Sequence, residues 1–355
     1  GPLAPTAPLR PRAERGPRVS AASAPSSRGG RPSQDDPMST TAPPADLATP
    51  KRRIGDPIFA FLAHGSGIFV LVLLGAIVVG LFAGGWPAFR AFGPRFLIDT
   101  EWDPVQQVFG AAVPVFGTVV AAVLALVFAV PIAFGIAFTL TELAPGPLRR
   151  PIGTAIELLA AVPSIIYGMW GFFVVVPIMA QTVQPWAIDL FDGIPVLEDL
   201  FGGPAFGTGI LTAALILAVM IIPFVAATMR DVFLTVPAIY KESAYGLGCT
   251  TWEVVRSIVL PYTRASVVGG IMLGLGRALG ETMAVTFVIG NTNRIATSLF
   301  GPGNTIASIV ALEFPESEAG SLKLSSLLAL GFVLFAISFV VLSIARVLSG
   351  SRLAQ

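Results

Sequence analysis

Arg277 and Glu281 stand four residues apart inside GGIMLGLGRALGETMAVTFVIG, residues 269–290, a stretch otherwise free of charge. On a helix that spacing puts both side chains on one face. Charges so deep in hydrocarbon are costly unless they face protein or water. A pair that neutralises itself and orders its neighbours meets that condition. So does a guanidinium lining an anion path, because arginine stays protonated and its planar fork holds two oxygens of an oxyanion. Glu281 would then hold that side chain, or compete with the anion for its donors. Thr282 adds a hydroxyl beside them. Pro163 and Ser164, in another apolar run, would free a carbonyl and offer a hydroxyl near a cavity, or else make a packing kink.

Other chemistries lack their residues. One cysteine, Cys249, excludes an internal disulfide, and one histidine, His64, leaves no metal-ligand cluster. No metal site is expected, and no catalytic residue, since no Ser–His or Asp dyad falls within the apolar runs. The lysines are Lys51, Lys241 and Lys323, and none follows a glycine. A phosphate-cradling G-x-x-x-x-G-K-[ST] loop is therefore absent, so any nucleotide hydrolysis must come from another chain.

These residues need helices to position them. The 355 residues are 54% hydrophobic and 12% charged, against about 25% charge in soluble domains. Apolar runs long enough to cross a bilayer recur along the chain. The expected fold is all-α and polytopic, with six spans near 66–84, 109–140, 152–180, 206–229, 263–290 and 322–348. The second run is too long for one straight crossing, so it extends past the bilayer or bends near Pro131. Residues 1–53 are rich in Pro, Ala, Ser and Arg and should form a disordered tail. That tail lacks a signal-peptide pattern, and Met38 is a candidate start. Residues 54–350 make the membrane domain.

The basic residues orient it. Lys51, Arg52, Arg53, Arg149, Arg150, Arg230, Lys241, Arg256, Arg264, Arg346 and Arg352 fall on one side, and Arg90, Arg95, Arg294 and Lys323 on the other. That bias puts both termini and the loop at 231–262 in the cytoplasm, and the acidic loops outside.

The loop at 231–262 contains ESAYGLGCTTWEVVRSIVLP, residues 242–261. Thr235 and Pro237 suit the first turn of a helix through Tyr240, Ala244 and Leu247. Gly248 suits the left-handed position that ends it. Thr250 and Glu253 have capping-box spacing for a second short helix, which Pro261 should stop. In the fifth span, Gly270–Gly274 and Gly276–Gly280 have the small-xxx-small spacing that brings helix backbones close. The expected contact is at or near a partner subunit.

Glu242, Ser243, Ala244, Gly248, Ile258, Leu260 and Pro261 fit E-A-A-x3-G-x9-I-x-L-P, departing only at Ser243. This resembles the cytoplasmic loop of permease subunits in binding-protein-dependent ABC importers, whose fold is the type I, MetI-like architecture. In that family the first loop helix docks on the ATPase and passes on its motion. LGRALGETMAVTFVIGN and ELLAAVPSIIYGMWG, residues 157–171, resemble the fifth and third helices of phosphate permeases. The first outer loop, with Trp86, Pro87, Phe92 and Gly93, favours the C type over the A type.

The resemblance implies a permease of an inorganic phosphate importer in the bacterial plasma membrane, working by alternating access. Arg277, Glu281, Thr282 and Ser164 would line its path. Its partners would be a second permease (PstA type), an ATPase dimer (PstB type) and a periplasmic or surface phosphate-binding protein (PstS type). ATP and Mg would sit on the ATPase, with no cofactor on this chain. Another oxyanion, molybdate or sulfate, stays open as the cargo. An ion-coupled secondary transporter fits less well, because no convincing inverted repeat is visible.

Overall fold

The computed structural model describes the backbone of residues 55–350 and the side chains of residues 59–347. The tail expected at 1–53 lies outside the described residues. Two units divide the chain, Gly1–Leu62 and Ala63–Gln355. Of the first, only the opening turns of helix α1 (Gly55–Phe92) are described.

Six helices are long and apolar enough to cross a membrane: Phe59–Leu97, Ala112–Leu143, Ser164–Phe191, Ile210–Leu234, Thr251–Leu279 and Leu322–Val347. We call the regular part of the second α2 (Ala112–Phe138). An added helix, α3 (Gly146–Ala160), precedes α4 (Ser164–Phe191). Then come α5 (Pro195–Phe201), α6 (Ile210–Leu234), α7 (Ala238–Gly246) and α8 (Thr251–Leu279). The chain ends with α9 (Met283–Thr286), α10 (Ile306–Glu313) and α11 (Leu322–Gly350).

Helix α6 is the post the others lean on. Of its most apolar stretch 67% is buried, against 28% or less in the other five spans. Against it lies α2, which presents Ala121, Ala125, Ala129, Ala133 and Ala137, each at most 1% exposed. Their four-residue spacing is one helical ridge, and methyl side chains let the two backbones approach closely. Helix α2 runs through Pro131 without a break and continues in a wider turn to Leu143. Its 32 residues measure about 48 Å at 1.5 Å per residue, well beyond a hydrocarbon core of about 30 Å. The overlong second run extends past the bilayer.

Prolines set the local shape of three spans. Each π-helical turn among the described residues, at Thr139–Leu143, Gly171–Val175, Met179–Val183 and Val255–Val259, is followed two residues later by a proline: Pro145, Pro177, Pro185 and Pro261. Proline has no N–H, and its ring collides with the carbonyl four residues back. In the wider turn the preceding residue instead bonds five back, as Leu260 N–H does to the Val255 carbonyl, which keeps the helix going past Pro177, Pro185 and Pro261; before Pro145 the helix ends, with Ala144 extended.

This corrects three expectations. Pro261 does not stop a short second loop helix, because the π turn carries the chain straight into span five as α8. The third span does not begin near 152. Helix α3 closes at Ala161, and Pro163 is the N-cap of α4 rather than a kink within it. The crossing helix therefore starts at Ser164 and runs on to Phe191. The fifth span ends at Leu279, not near 290. Val285, Val288 and Ile289 are apolar because they are buried in protein, each at most 1% exposed, and the hydropathy of the run says nothing of that.

At the far end from α7, a hairpin pairs β1 (Trp102–Asp103) with β2 (Val108–Phe109) antiparallel. The Trp102 indole donates to Glu313 Oε1 at 2.9 Å, and Lys323 Nζ lies 3.3 Å from Glu313 Oε2. One carboxylate thus joins the hairpin, α10 and α11. Helix α1 meets α11 where a β-carbon on Gly85 would sit 2.8 Å from the Ala329 Cα.

Candidate functional site

Two regions gather the residues singled out by chemistry: the loop holding α7, and the interruption after α8.

Helix α7 follows Pro237 and ends in a Schellman motif. Gly248 N–H bonds the Tyr245 carbonyl at 3.0 Å, and Cys249 N–H bonds the Ala244 carbonyl at 3.1 Å. Gly248 has φ +86°, in the left-handed region that a β-carbon disfavours. The next helix begins on a complete capping box. Thr250 N–H donates to Glu253 Oε2 at 2.7 Å, while Glu253 N–H reaches Thr250 Oγ1 at 3.4 Å. Thr235 belongs to the preceding helix, where its hydroxyl bonds the Val232 carbonyl at 2.7 Å. It closes α6 instead of opening α7.

Of the motif residues, Ala244 is buried, Ile258 and Leu260 are half-buried, and Glu242, Ser243, Gly248 and Pro261 are exposed. Ala244 and Val254 root the loop in the core. The opposite side shows Ile239, Tyr240, Tyr245, Leu247 and Trp252, with Leu247 87% exposed. A short apolar and aromatic ridge of this kind is a surface suited to another protein. Glu142, which carries no sequence signal of its own, anchors α7: its carboxylate meets Lys241 Nζ at 2.6 Å, with the two side chains 7% and 17% exposed.

The second region departs from the sequence reading. Helix α8 stops at Leu279, and Gly280 to Thr282 make a non-helical step before α9. Arg277 and Glu281 therefore do not share a helical face. They form no ion pair; the four ion pairs among the described residues are elsewhere. Arg277 is exposed, with its guanidinium 6.0 Å from the centre of the Phe224 ring, in cation–π range. It also occupies the last turn of α8, where the carbonyl ends of the helix favour a cation. Glu281 Oε1 instead accepts from the Ala284 amide at 3.3 Å, capping α9. Thr282 Oγ1 reaches the Gly280 carbonyl at 3.4 Å.

Ser164 starts α4, one turn before Gly168. A β-carbon on Gly168 would sit 2.8 Å from Phe287 and 3.0 Å from the Ala284 backbone, so α4 lies hard against α9. Ser164, Arg277, Glu281 and Thr282 thus sit on elements that meet at the step. Phe224 and Gly168 also belong to this region, and neither was singled out from the sequence.

The two glycine pairs separate. A β-carbon on Gly270 would meet Thr228 at 2.8 Å, and one on Gly274 would meet Val225 at 2.7 Å. Both neighbours are on α6 of the same chain, so this close approach is internal and not to a partner subunit. Gly276 has only Leu342 nearby, at 3.8 Å, and Gly280 meets nothing nearer than its own helix's Gly276 carbonyl, also at 3.8 Å.

Residues 129–352 match the family described as binding-protein-dependent transport system inner membrane component. The chain is 56% identical over 301 residues to the phosphate transport system permease protein PstC of Mesorhizobium japonicum, spanning 85% of this chain and 92% of that protein. It is 59% identical over 281 residues to the protein of the same name from Pasteurella multocida, spanning 79% and 87%. To PstC 2 of Mycobacterium tuberculosis it is 39% identical over 324 residues, spanning 89% and 98%. Among solved structures, a bacterial alginate ABC transporter in complex with alginate pentasaccharide-bound periplasmic protein has a chain of like fold, with TM-score 0.55 at 14% identity over 84% of this chain and 95% of that one. The chain belongs to the family of binding-protein-dependent transport system inner membrane components, the membrane-spanning permeases of ABC importers.

Proposed function

We infer that the protein is the permease subunit of an ATP-driven inorganic phosphate importer, forming the translocation path together with a second permease of the PstA type. The observation that carries the anion is Arg277. From Pro261 to Arg277 the helix climbs about 24 Å at 1.5 Å per residue, so with Pro261 at the inner surface an exposed guanidinium, without a carboxylate partner among the described residues, stands past the middle of a hydrocarbon core of about 30 Å. A fixed cation there can replace part of the water that a phosphate ion gives up on leaving solution. Relatives named as phosphate permeases, at up to 59% identity, support phosphate over molybdate or sulfate.

The chain itself does no hydrolysis; ATP and Mg belong to an ATPase dimer of the PstB type. The exposed ridge of Ile239, Tyr240, Tyr245, Leu247 and Trp252 fits a groove on that dimer, with Glu242, Ser243 and Gly248 at its edge. The lysine and arginine bias supports a cytoplasmic location for this loop and both termini in a bacterial plasma membrane. A phosphate-binding protein of the PstS type would dock at the hairpin end. Closure of the ATPase dimer would push α7, and through the ion pair of Lys241 with Glu142 the end of α2. The step at Gly280–Thr282, beside Ser164 on α4, would line the opening that receives the anion. Gly276 and Gly280, which have room beside them in this chain, suit a contact with the second permease.

The test is ATP hydrolysis by the complex, reconstituted in lipid with its partners and loaded binding protein. Phosphate should stimulate hydrolysis and be delivered across the membrane, and sulfate and molybdate should do neither. Equal stimulation by sulfate would overturn the substrate reading.

A further inference from the structure

Away from the step and the docking ridge, a cavity of about 360 Å³ opens at the end of the helices that carries α7. Three elements surround it: the turn after α2 with Thr141, helix α3 with Arg149, Arg150, Thr154 and Glu157, and α6 with Arg230. Arg230 is fixed in place. Its Nη2 lies 2.7 Å from Glu157 and 2.8 Å from Asp231, and its Nε bonds Asp231 at 3.1 Å. Gly153 makes room for it, since a β-carbon there would sit 2.5 Å from Nη1. Arg149 donates from Nε to the Ala144 carbonyl at 2.8 Å. Among the described residues neither Arg149 nor Arg150 forms an ion pair with a carboxylate.

Three guanidiniums therefore face two carboxylates, and the two whose charge is uncompensated lie side by side on α3. Guanidinium forks match the oxygens of a phosphate group in pairs. The Thr154 hydroxyl can donate as well, whereas that of Thr141 is already given to the Ala137 carbonyl at 3.0 Å. A basic recess between membrane helices at the level of the headgroups is a physically sound place for an anionic phosphate.

We propose that this cavity is a phosphate-group site, taking either the headgroup phosphate of an anionic phospholipid or free inorganic phosphate on the inner side. Its ligand ties α3 to α6 and to the end of α2. The site is separate from Arg277, and it stands whichever anion the path carries; only its inner-side placement rests on the orientation inferred above.

The test uses the complex of both permeases and the ATPase without binding protein, in phosphatidylcholine nanodiscs, with two probes. One is radiolabelled inorganic phosphate in equilibrium dialysis. The other is phosphatidylglycerol, read as lipid retained on the complex in native mass spectrometry. The wild type should bind at least one probe, and which one it binds names the source. The double variant Arg149→Gln, Arg150→Gln should weaken that binding about tenfold, with complex yield near wild type, since both residues are exposed and the one bond lost is that of Arg149 Nε to the Ala144 carbonyl. Arg149→Lys, Arg150→Lys should keep part of it, and Arg264→Gln, outside the cavity at the same end, should keep all of it. Failure of the wild type to bind either probe would overturn the site, as would equal losses in the Arg149/Arg150 and Arg264 variants. Inorganic phosphate binding that disappears with Arg277→Gln but survives the double variant would assign that ion to the path and overturn a free-phosphate site here.

Discussion

Two glycines end helices in this protein, and they do it in opposite ways. At Gly248 the chain turns left-handed, two backbone bonds of 3.0 and 3.1 Å close the end, and a capping box starts the next helix within three residues. Lys241 and Glu142 tie the closed unit to the end of α2. At Gly280 the backbone stays near right-handed, with φ −94° and ψ 3°. The amides of Gly280 and Glu281 reach back only at 3.4 Å, and Gly280 is exposed with Glu281 and Thr282 half-buried, between the buried pairs Ala278–Leu279 and Ala284–Val285. The first is tightly closed, as a piece that moves rigidly would be; the second is loosely held, which suits the anion path proposed above. A stiff lever at the motor and a soft joint in the path are what the proposed transport cycle asks for, and one residue type can supply either according to what surrounds it.

The comparison is broken most severely from the soft side. Arg277→Gln keeps the length of the side chain and removes the charge. Uptake of radiolabelled phosphate, in cells lacking other importers, should fall at least a hundredfold while the complex assembles at normal yield. Wild-type uptake would remove Arg277 from the path. On the stiff side, Gly248→Asp puts a β-carbon at φ +86°, which costs about 1–2 kcal/mol, and adds a charge beside the docking ridge. ATP hydrolysis uncoupled from uptake, or loss of ATPase from the purified complex, is expected, with uptake down at least tenfold. Gly248→Asn, which visits the left-handed region as aspartate does but carries no charge, should recover much of the coupling, and full uptake by the Asp variant would show that the lever does not run through this turn.

The stiff region was legible in the sequence and the soft one was not, for a physical reason. Everything that builds the Gly248 turn lies within about ten residues: a glycine, a threonine, a glutamate three positions on. Local hydrogen bonds decide it. The step at Gly280 is decided by burial. MAVTFVIG reads as more membrane helix, yet Ala284, Val285, Val288 and Ile289 are apolar because α4, α6 and neighbouring segments cover them. An expected pairing of Arg277 with Glu281 failed with the helix that was to align them. The six spans were readable from hydropathy, whereas the π turns that let helices pass Pro177, Pro185 and Pro261 depend on bond register, which hydropathy does not carry. Small-xxx-small spacing announced a close contact at Gly270 and Gly274, but spacing cannot name the neighbour, which is α6.

Two variants sharpen how stiffness is supplied. Glu142→Gln leaves Lys241 as a half-buried charge without its countercharge, a loss of about 1–3 kcal/mol. The complex should unfold at lower temperature, and uptake per ATP hydrolysed should drop severalfold. Unchanged coupling would show that α7 needs no tether to α2. Gly274→Leu overfills the contact with Val225 and should destabilise by about 1–3 kcal/mol, read as a lower unfolding temperature of the purified complex. A normal unfolding temperature would mean that α8 and α6 can separate without cost.

The smallest effect on stability should come from the glycine of the step itself. Gly280 has φ −94°, which alanine adopts readily, and a new β-carbon would find its nearest neighbour at 3.8 Å. Steric cost is therefore absent. Alanine also favours helix over glycine by about 1 kcal/mol, so Gly280→Ala should leave the unfolding temperature unchanged or slightly raised. Helical continuation past Leu279 becomes easier by the same amount, and that would carry Glu281 away from the Ala284 amide and toward the face of Arg277. If the looseness of the step serves passage of the anion, uptake should slow about two- to fivefold, a ratio that 1 kcal/mol permits, while assembly and unfolding temperature hold. Unchanged uptake would make the step a mere bend, and a lowered unfolding temperature would mean that the glycine is required there for fit after all.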